Sequence, residues 1–169
     1  MKMDDSPAAQ QQPWKAELDA IVGARAHGQF GEILPRLRQL DARHPNVAEI
    51  AHQLAWTCDM LEREAEALPW YEKAVALGLP RNELAGALLG LGSTLRRLGQ
   101  LDRSIAVLRS ARLQFPENRE LDAFLALSLH AADRSGEALR VAVEILCDTS
   151  EDQGIRAYQR TLRHAVSRL

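Results

Sequence analysis

The sequence repeats itself at an interval of 34 residues, and this period constrains the fold more than any other feature. Three residues of one unit recur in the next: Glu32 at Glu66, Leu34 at Leu68 and Pro35 at Pro69. The interval becomes 37 residues between the second and third units, which we attribute to a longer loop at 78–82, and then returns to 34. A fixed period of this length is typical of architectures in which each unit packs only against its neighbours.

Each unit contains two stretches with the apolar periodicity of a helix. In the third unit the two apolar stripes are Leu84, Leu88, Leu91 and Leu95, then Leu101, Ile105, Leu108 and Leu113. Ala and Leu are frequent and β-branched residues are few, which favours helices over strands. Because two amphipathic helices cannot cover their apolar faces alone, the units are expected to stack on one another.

Small residues and turn formers occur where such a stack needs them. We expect helices to approach closely at five small residues: Ala55, Gly92 and Ala126 on first helices, and Ala67 and Ala138 on second helices. Gly28 and Gly99 are predicted to form turns that need a positive φ. Pro35 and Pro69 are predicted early in second helices. In a first turn a proline removes no helical hydrogen bond, whereas a residue deeper it should kink the helix slightly.

Together these positions resemble the tetratricopeptide repeat family. The third unit shows the resemblance most fully: Leu88-x2-Leu91-Gly92-x2-Leu95, then Gly99, Ser104, Leu108, Ala111 and Pro116. The family's aromatic positions are mostly aliphatic in this chain. Residues 84–169 also resemble small bacterial members of the family whose function is unassigned. The resemblance implies an all-α fold, a right-handed α-solenoid of four helix pairs with a C-terminal capping helix.

The same pattern predicts the domain boundaries. We expect a disordered N-terminal tail at 1–12 and a single domain at 13–169, with repeats at about 14–47, 48–84, 85–118 and 119–152. A cap helix is predicted at 154–169, with one apolar stripe formed by Ile155, Tyr158, Leu162, Val166 and Leu169. Because the polar N-terminus has no apolar core we expect no signal peptide, and Cys58 and Cys147 stand alone, which favours a cytoplasmic protein.

The resemblance implies that the first helices line a concave groove that binds a partner. The predicted groove residues are His52, Trp56, Asp59, Met60, Leu89, Ser93, Arg96, Arg97, Leu127 and His130, with Lys15, Leu18, Val22 and Arg25 in the first unit. Trp56 and Met60 would supply apolar contacts, and Arg96 and Arg97 would pair with a carboxylate of the bound chain. The alternative is that Trp56 packs against a neighbouring unit and the arginines are only solvated.

One subclass of the family holds the C-terminal carboxylate of chaperone tails with Lys and Asn at groove positions. The matching places in this sequence hold Leu18, Val22 and Trp56. We therefore do not predict that clamp.

The function implied is a non-enzymatic scaffold that binds another protein or a peptide in this groove. Two alternatives stay open: a secretion-type chaperone that holds an export client, and a homodimer formed through the convex face or the terminal helix. No catalytic motif is present and no two histidines are four residues apart, so we expect no cofactor and no metal. The net charge of −2 predicts neither a nucleic acid nor a membrane as partner.

Overall fold

The computed structural model describes residues 12–23 and 30–169, and within them nine α-helices and no strand are found. The helices are α1 Pro13–Gly23, α2 Phe30–Arg43, α3 Ala48–Met60, α4 Glu64–Leu77, α5 Arg81–Arg97, α6 Leu101–Gln114, α7 Arg119–Ala131, α8 Ser135–Thr149 and α9 Gln153–Val166. The predicted tail, apart from Gln12, and the predictions for Arg25 and Gly28 lie outside the described residues. None of the nine helices is long and apolar enough to cross a membrane.

The helices stack in chain order. Each helix packs against the next one, and α5 also packs against both α3 and α7. The odd-numbered helices from α3 to α7 therefore lie side by side, while the even-numbered helices form the other layer. This confirms the predicted all-α solenoid, and the groove residues predicted in the second, third and fourth units, which are on α3, α5 and α7, lie in one layer.

The predicted apolar stripes form most of the core. Leu54, Leu95, Leu108 and Leu125 are all fully buried between adjacent helices. Leu113 is an exception, because 82% of it is exposed. It follows Ile105 by eight residues, which places it about 80° around the helix from Ile105 and outside the buried stripe.

Small residues permit close packing of successive helices, as predicted. A Cβ atom at Gly92 would lie only 2.5 Å from the Cγ atom of Leu108 on α6. Ser104, also on α6, donates a hydrogen bond to the Gly92 carbonyl oxygen at 2.7 Å and lies 2.8 Å from the Ser128 hydroxyl on α7. This contact links three consecutive helices through buried polar groups.

The longer interval between the second and third units has a different origin from the one predicted. The connection between α4 and α5 is only residues 78–80, whereas α5 has 17 residues and α3 and α7 have 13 each. The additional residues therefore extend the start of α5 to Arg81 instead of enlarging the loop. The Arg81 guanidinium stabilises this turn, since it lies 4.5 Å from the centre of the Phe115 ring and 3.3 Å from Glu117.

The two helix prolines lie beyond the first turns of their helices. Pro35 is the sixth residue of α2 and Pro69 the sixth of α4, so both are in the second turn. A proline at this depth removes one backbone hydrogen bond and crowds the preceding turn. Of the two positions left open by the sequence, the deeper one is therefore found for both prolines.

The turns inside the second, third and fourth helix pairs share one backbone conformation. Glu62, Gly99 and Asp133 have φ values of 56°, 73° and 58°. In these turns the N–H group of the following residue donates a hydrogen bond to the carbonyl oxygen five residues earlier. The pairs are Arg63 to Cys58, Gln100 to Leu95 and Arg134 to Leu129. The positive φ predicted for Gly99 is confirmed, and the other two turns achieve it without glycine.

Glycine is therefore expected to be the better residue at Glu62. A positive φ costs a residue with a side chain roughly 1–2 kcal/mol, and this is partly offset by the greater freedom of glycine in the unfolded chain. Glu62→Gly should raise the free energy of unfolding by up to about 1 kcal/mol, and Gly99→Ala should lower it by about 1 kcal/mol. Urea unfolding measures both; a loss of stability in Glu62→Gly would contradict the explanation.

Candidate functional site

A cavity of about 520 Å³ opens on the layer of odd-numbered helices. Its walls come mainly from α3 and α5, with one residue each from α4 and α7. The lining residues are His52, Gln53, Trp56, Asp59, Tyr71, Gly86, Leu89, Gly90, Ser93 and Phe124. Its volume lies within the range of roughly 300–1,000 Å³ that is usual for ligand pockets.

Five of the ten groove residues predicted on α3, α5 and α7 meet at this cavity. His52, Trp56, Asp59, Leu89 and Ser93 line its walls, whereas Met60, Arg96, Arg97, Leu127 and His130 do not. In the first unit Leu18 is buried with its α1 neighbours in the core, so its predicted place in the groove is wrong. Val22 also packs against this core.

The other five lining residues were not predicted: Gln53, Tyr71, Gly86, Gly90 and Phe124. For Gly86 and Gly90 a signal existed, because they precede Leu89 and Ser93 by three residues on the same helical face. For Tyr71 no such signal existed, because it comes from the second helix of a pair.

Tyr71 reaches the cavity because Gly90 has no side chain. A Cβ atom at Gly90 would lie 2.5 Å from the Tyr71 Cζ atom and 2.7 Å from its Cε1 atom. The Tyr71 ring is fully buried and lies 6.3 Å from the His52 ring, measured between ring centres. Tyr71 therefore forms part of the cavity floor where α3, α4 and α5 meet.

Asp59 and Arg97 form an ion pair beside the cavity. The Arg97 Nη1 atom donates to the Asp59 Oδ1 atom at 3.0 Å, and Arg97 also pairs with Glu64 on α4. Burial raises the pKa of Asp59 above its ordinary value, although Arg97, Thr94 and Tyr71 act in the opposite direction. Two intramolecular carboxylates already pair with Arg97, so a partner's carboxylate would have to compete with them for this guanidinium.

Arg96 differs from its neighbour. Its Nε atom is buried and makes no hydrogen bond with the described residues, and no ion pair of its guanidinium is found among them. Of the two arginines predicted to contact a carboxylate, Arg96 is therefore the one whose hydrogen-bonding capacity is unfilled. Because the Nε atom is inaccessible, a bound carboxylate would reach Arg96 through the terminal nitrogens of its guanidinium.

His52 connects the two principal walls. Its Nδ1 atom lies 3.4 Å from the Glu83 Oε2 atom on α5, and both side chains are largely buried. This contact holds α3 against α5 at one end of the cavity. His52 is therefore a structural part of the wall as well as a polar group that lines it.

The remaining candidate chemistry is limited. Cys58 and Cys147 are both free and buried, and burial raises the pKa of the Cys58 thiol, which favours the unreactive protonated form. In the part of the chain that the structure describes, no group of three or more His, Cys, Asp or Glu residues could hold a metal ion.

Comparison with known proteins identifies similar chains. A model of the tetratrico peptide repeat family matches residues 48–169. Among solved structures, residues 41 to the end of MamA from Desulfovibrio magneticus RS-1 superimpose with a TM-score of 0.66 at 18% identity, covering 92% of this chain and 95% of that one. YrrB, described as a TPR protein with an unusual peptide-binding site, gives a TM-score of 0.71 at 16% identity, covering 88% and 75%.

These structural similarities show the shared fold. A further MamA crystal structure gives a TM-score of 0.70 at 17% identity and covers 88% of this chain and 92% of that one. No curated protein sequence matches the chain at a significant level.

Proposed function

The chain belongs to the tetratricopeptide repeat family, and from this premise we propose that it is a non-enzymatic scaffold that binds a segment of another protein across its odd-numbered helices. One observation carries the proposal: the 520 Å³ cavity is built by the helix layer that the family fold leaves open. Its size suits one or two side chains of a bound peptide and not a whole domain.

The lining of the cavity indicates what kind of segment it would hold. Trp56 is 38% exposed at the wall, and Leu89 and Phe124 are half-buried, so the cavity offers an apolar contact surface. Gln53 and Ser93 add hydrogen-bonding groups beside it. An apolar or aromatic anchor residue within a peptide matches this combination, because partly exposed tryptophans are frequent binding hot spots.

Two further features extend the proposed contact beyond the cavity. Met60 and Leu127 are each about half exposed on helices that flank α5. Arg96, whose guanidinium makes no ion pair with the described residues, would donate from its terminal nitrogens to a carboxylate of the bound segment. The proposed ligand is therefore a peptide with an apolar anchor and a nearby acidic group. The peptide-binding site described for YrrB, which has the same fold, supports a peptide as the ligand.

Loss of Trp56 should strongly weaken binding of such a peptide. A peptide selected from a random library on the wild-type chain is the probe, and isothermal titration calorimetry measures its affinity. Trp56→Ala is expected to raise the dissociation constant about 30-fold, equivalent to the ~2 kcal/mol of a hot spot. Leu113→Ala, which truncates an exposed leucine on α6, is the matched control and should leave the affinity unchanged.

An obstruction variant tests the same cavity without removing a contact. A Cβ atom at Gly86 meets no other residue within 4 Å, so Gly86→Leu should fold normally and place its side chain in the cavity. We expect it to weaken peptide binding at least about tenfold. If selected peptides bind both Trp56→Ala and Gly86→Leu as tightly as the wild type, the cavity is not the binding site.

A further inference from the structure

The last even-numbered helix, α8, has an exposed apolar side, although the corresponding side of each earlier even-numbered helix is covered. At offsets of 34 and 37 residues, Leu139 on α8 corresponds to Leu34, Leu68 and Ile105, and Ala142 corresponds to Leu37, Tyr71 and Leu108. All six earlier residues are buried or half-buried, in clusters that include residues of the next odd-numbered helix. On α8, by contrast, Leu139 is 51% exposed and Ala142 is exposed as well.

The ninth helix does not cover this side. Arg140 donates to the carbonyl oxygens of Val166 and Leu169, Gln159 donates to the Cys147 carbonyl at 2.6 Å, and Arg163 pairs with Asp148. The residues on α6 that correspond to Arg140 and Cys147 are Ala106 and Leu113, and both are exposed. The terminal helix thus packs on the outer side of α8 and leaves the end of the stack open.

The predicted apolar stripe of the terminal helix is correspondingly only partly buried. Val166 is buried, Ile155 and Leu162 are half-buried, and Tyr158 and Leu169 are exposed. Contact with one side of α8 covers only part of the stripe.

The open side of α8 is a continuous apolar stripe, which we call the end stripe. It consists of Leu139, Ala142, Val143 and Leu146, spaced as neighbours on one helical face. Leu146 is 43% exposed and Val143 half-buried. The stripe contains no charged residue.

The position of Val143 shows how α8 differs from the earlier helices. Its counterparts are Arg38, Glu72 and Arg109, and each pairs with the following even-numbered helix: with Glu66 at 2.6 Å, Arg103 at 2.5 Å and Glu137 at 2.9 Å. This series of ion pairs ends at an apolar residue on α8. A partner that packs against this end of the stack would therefore contact an apolar residue at Val143 and not a charged one.

We propose that the end stripe binds a second copy of the chain, with the two α8 helices antiparallel. Leu139 and Leu146 lie at equal distances from the midpoint between Ala142 and Val143, so a two-fold axis there places Leu139 against Leu146 of the second copy. Ala142 is small enough to let the helices approach closely at the axis. Because the stripe is uncharged, two copies meet without repulsion, and a self-complementary patch is what a two-fold dimer requires.

Charge substitution at either end of the stripe tests this pairing. Leu139→Lys and Leu146→Glu should each give monomers, with the dimer dissociation constant raised at least about tenfold, because each would bury an unpaired charge. An equimolar mixture should recover a heterodimer, since the introduced lysine of one chain would then face the introduced glutamate of the other, and the two unchanged leucines would face each other. Sedimentation velocity over a concentration series measures all three samples and the wild type.

A matched control and a second readout keep the test independent of folding. Leu113→Lys changes an exposed leucine on the outer side of α6 and should remain dimeric. Ala142→Cys should form a covalent dimer when diamide oxidises the two thiols to a disulfide, whereas Ala106→Cys on α6 should not. Wild-type chain that is monomeric throughout the series, a dimeric Leu139→Lys variant, or a mixture that stays monomeric would each overturn the proposal.

The dimer proposal does not depend on the peptide cavity. The end stripe lies on α8, whereas the cavity is formed mainly by α3 and α5. Trp56→Ala should therefore leave the dimer intact, and Leu139→Lys should leave peptide affinity intact. Failure of one proposal is thereby distinguishable from failure of the other.

Discussion

Tyr71→Ala is expected to lower the free energy of unfolding by about 3–5 kcal/mol, the range for removing a large aromatic side chain from a core. Tyr71 is 1% exposed and packs within the cluster that joins the first three helix pairs. Its removal would leave a void where α3, α4 and α5 meet, which the rigid helices cannot fill. Urea unfolding followed by circular dichroism measures the change.

Tyr71→Phe separates the ring from its hydroxyl group. The phenyl ring would keep the packing, whereas the polar contact with Asp59 would be lost. We expect this variant to cost about 1 kcal/mol, as is usual for one buried hydrogen bond. If Tyr71→Ala and Tyr71→Phe cost the same, the ring does not support the junction as described.

Gly90→Ala is expected to cost about 1–3 kcal/mol through overpacking. The added methyl group would overlap the Tyr71 ring, which is buried and cannot move aside without displacing α4. Gly86→Ala, four residues earlier on the same helix, is the matched control. Its Cβ atom meets no other residue, so that variant should gain about 0.5–1 kcal/mol from the better helix propensity of alanine.

The two effects should be coupled. In the Tyr71→Ala background the space beside Gly90 is vacant, so Gly90→Ala should cost little and can even recover part of the lost stability. Residues in contact show such interaction energies of roughly 0.5–3 kcal/mol in double-mutant cycles. Additive effects of the two substitutions would contradict the packing geometry. The same pair shapes the cavity floor, so peptide binding to Gly90→Ala would report whether stability and binding share this contact.

The sequence by itself was sufficient for the architecture. A 34-residue period, with two helical stripes in each unit, leaves a stack of helices as the arrangement that buries every stripe. Gly92 was recognisable as a close-packing position and Gly99 as a turn with positive φ, and the structure confirms both. The sequence also predicted half of the residues that line the cavity. A spacing of three and four residues identifies the side of a helix that faces away from its core stripe.

Pairing between helices was decided only by the tertiary structure. Tyr71 enters the cavity from a second helix because Gly90, 19 positions later, has no side chain to exclude it. Arg97 is committed to Asp59 and Glu64, which come from two other helices, so its availability could not be judged from α5 alone. In both cases the outcome depends on distances between residues that are remote in the sequence.

The exposed side of α8 at the end of the stack likewise separates what the sequence determined from what only the packing decided. Helical periodicity shows that Leu139 and Leu146 lie on an apolar face, and the repeat shows that earlier copies of that face are covered. Which side of α8 receives the terminal helix is decided by Arg140, Gln159 and Arg163 and their partners across the helix boundary. Local spacing determines the character of each helical face, whereas only three-dimensional packing determines which face finds a neighbour and which remains open.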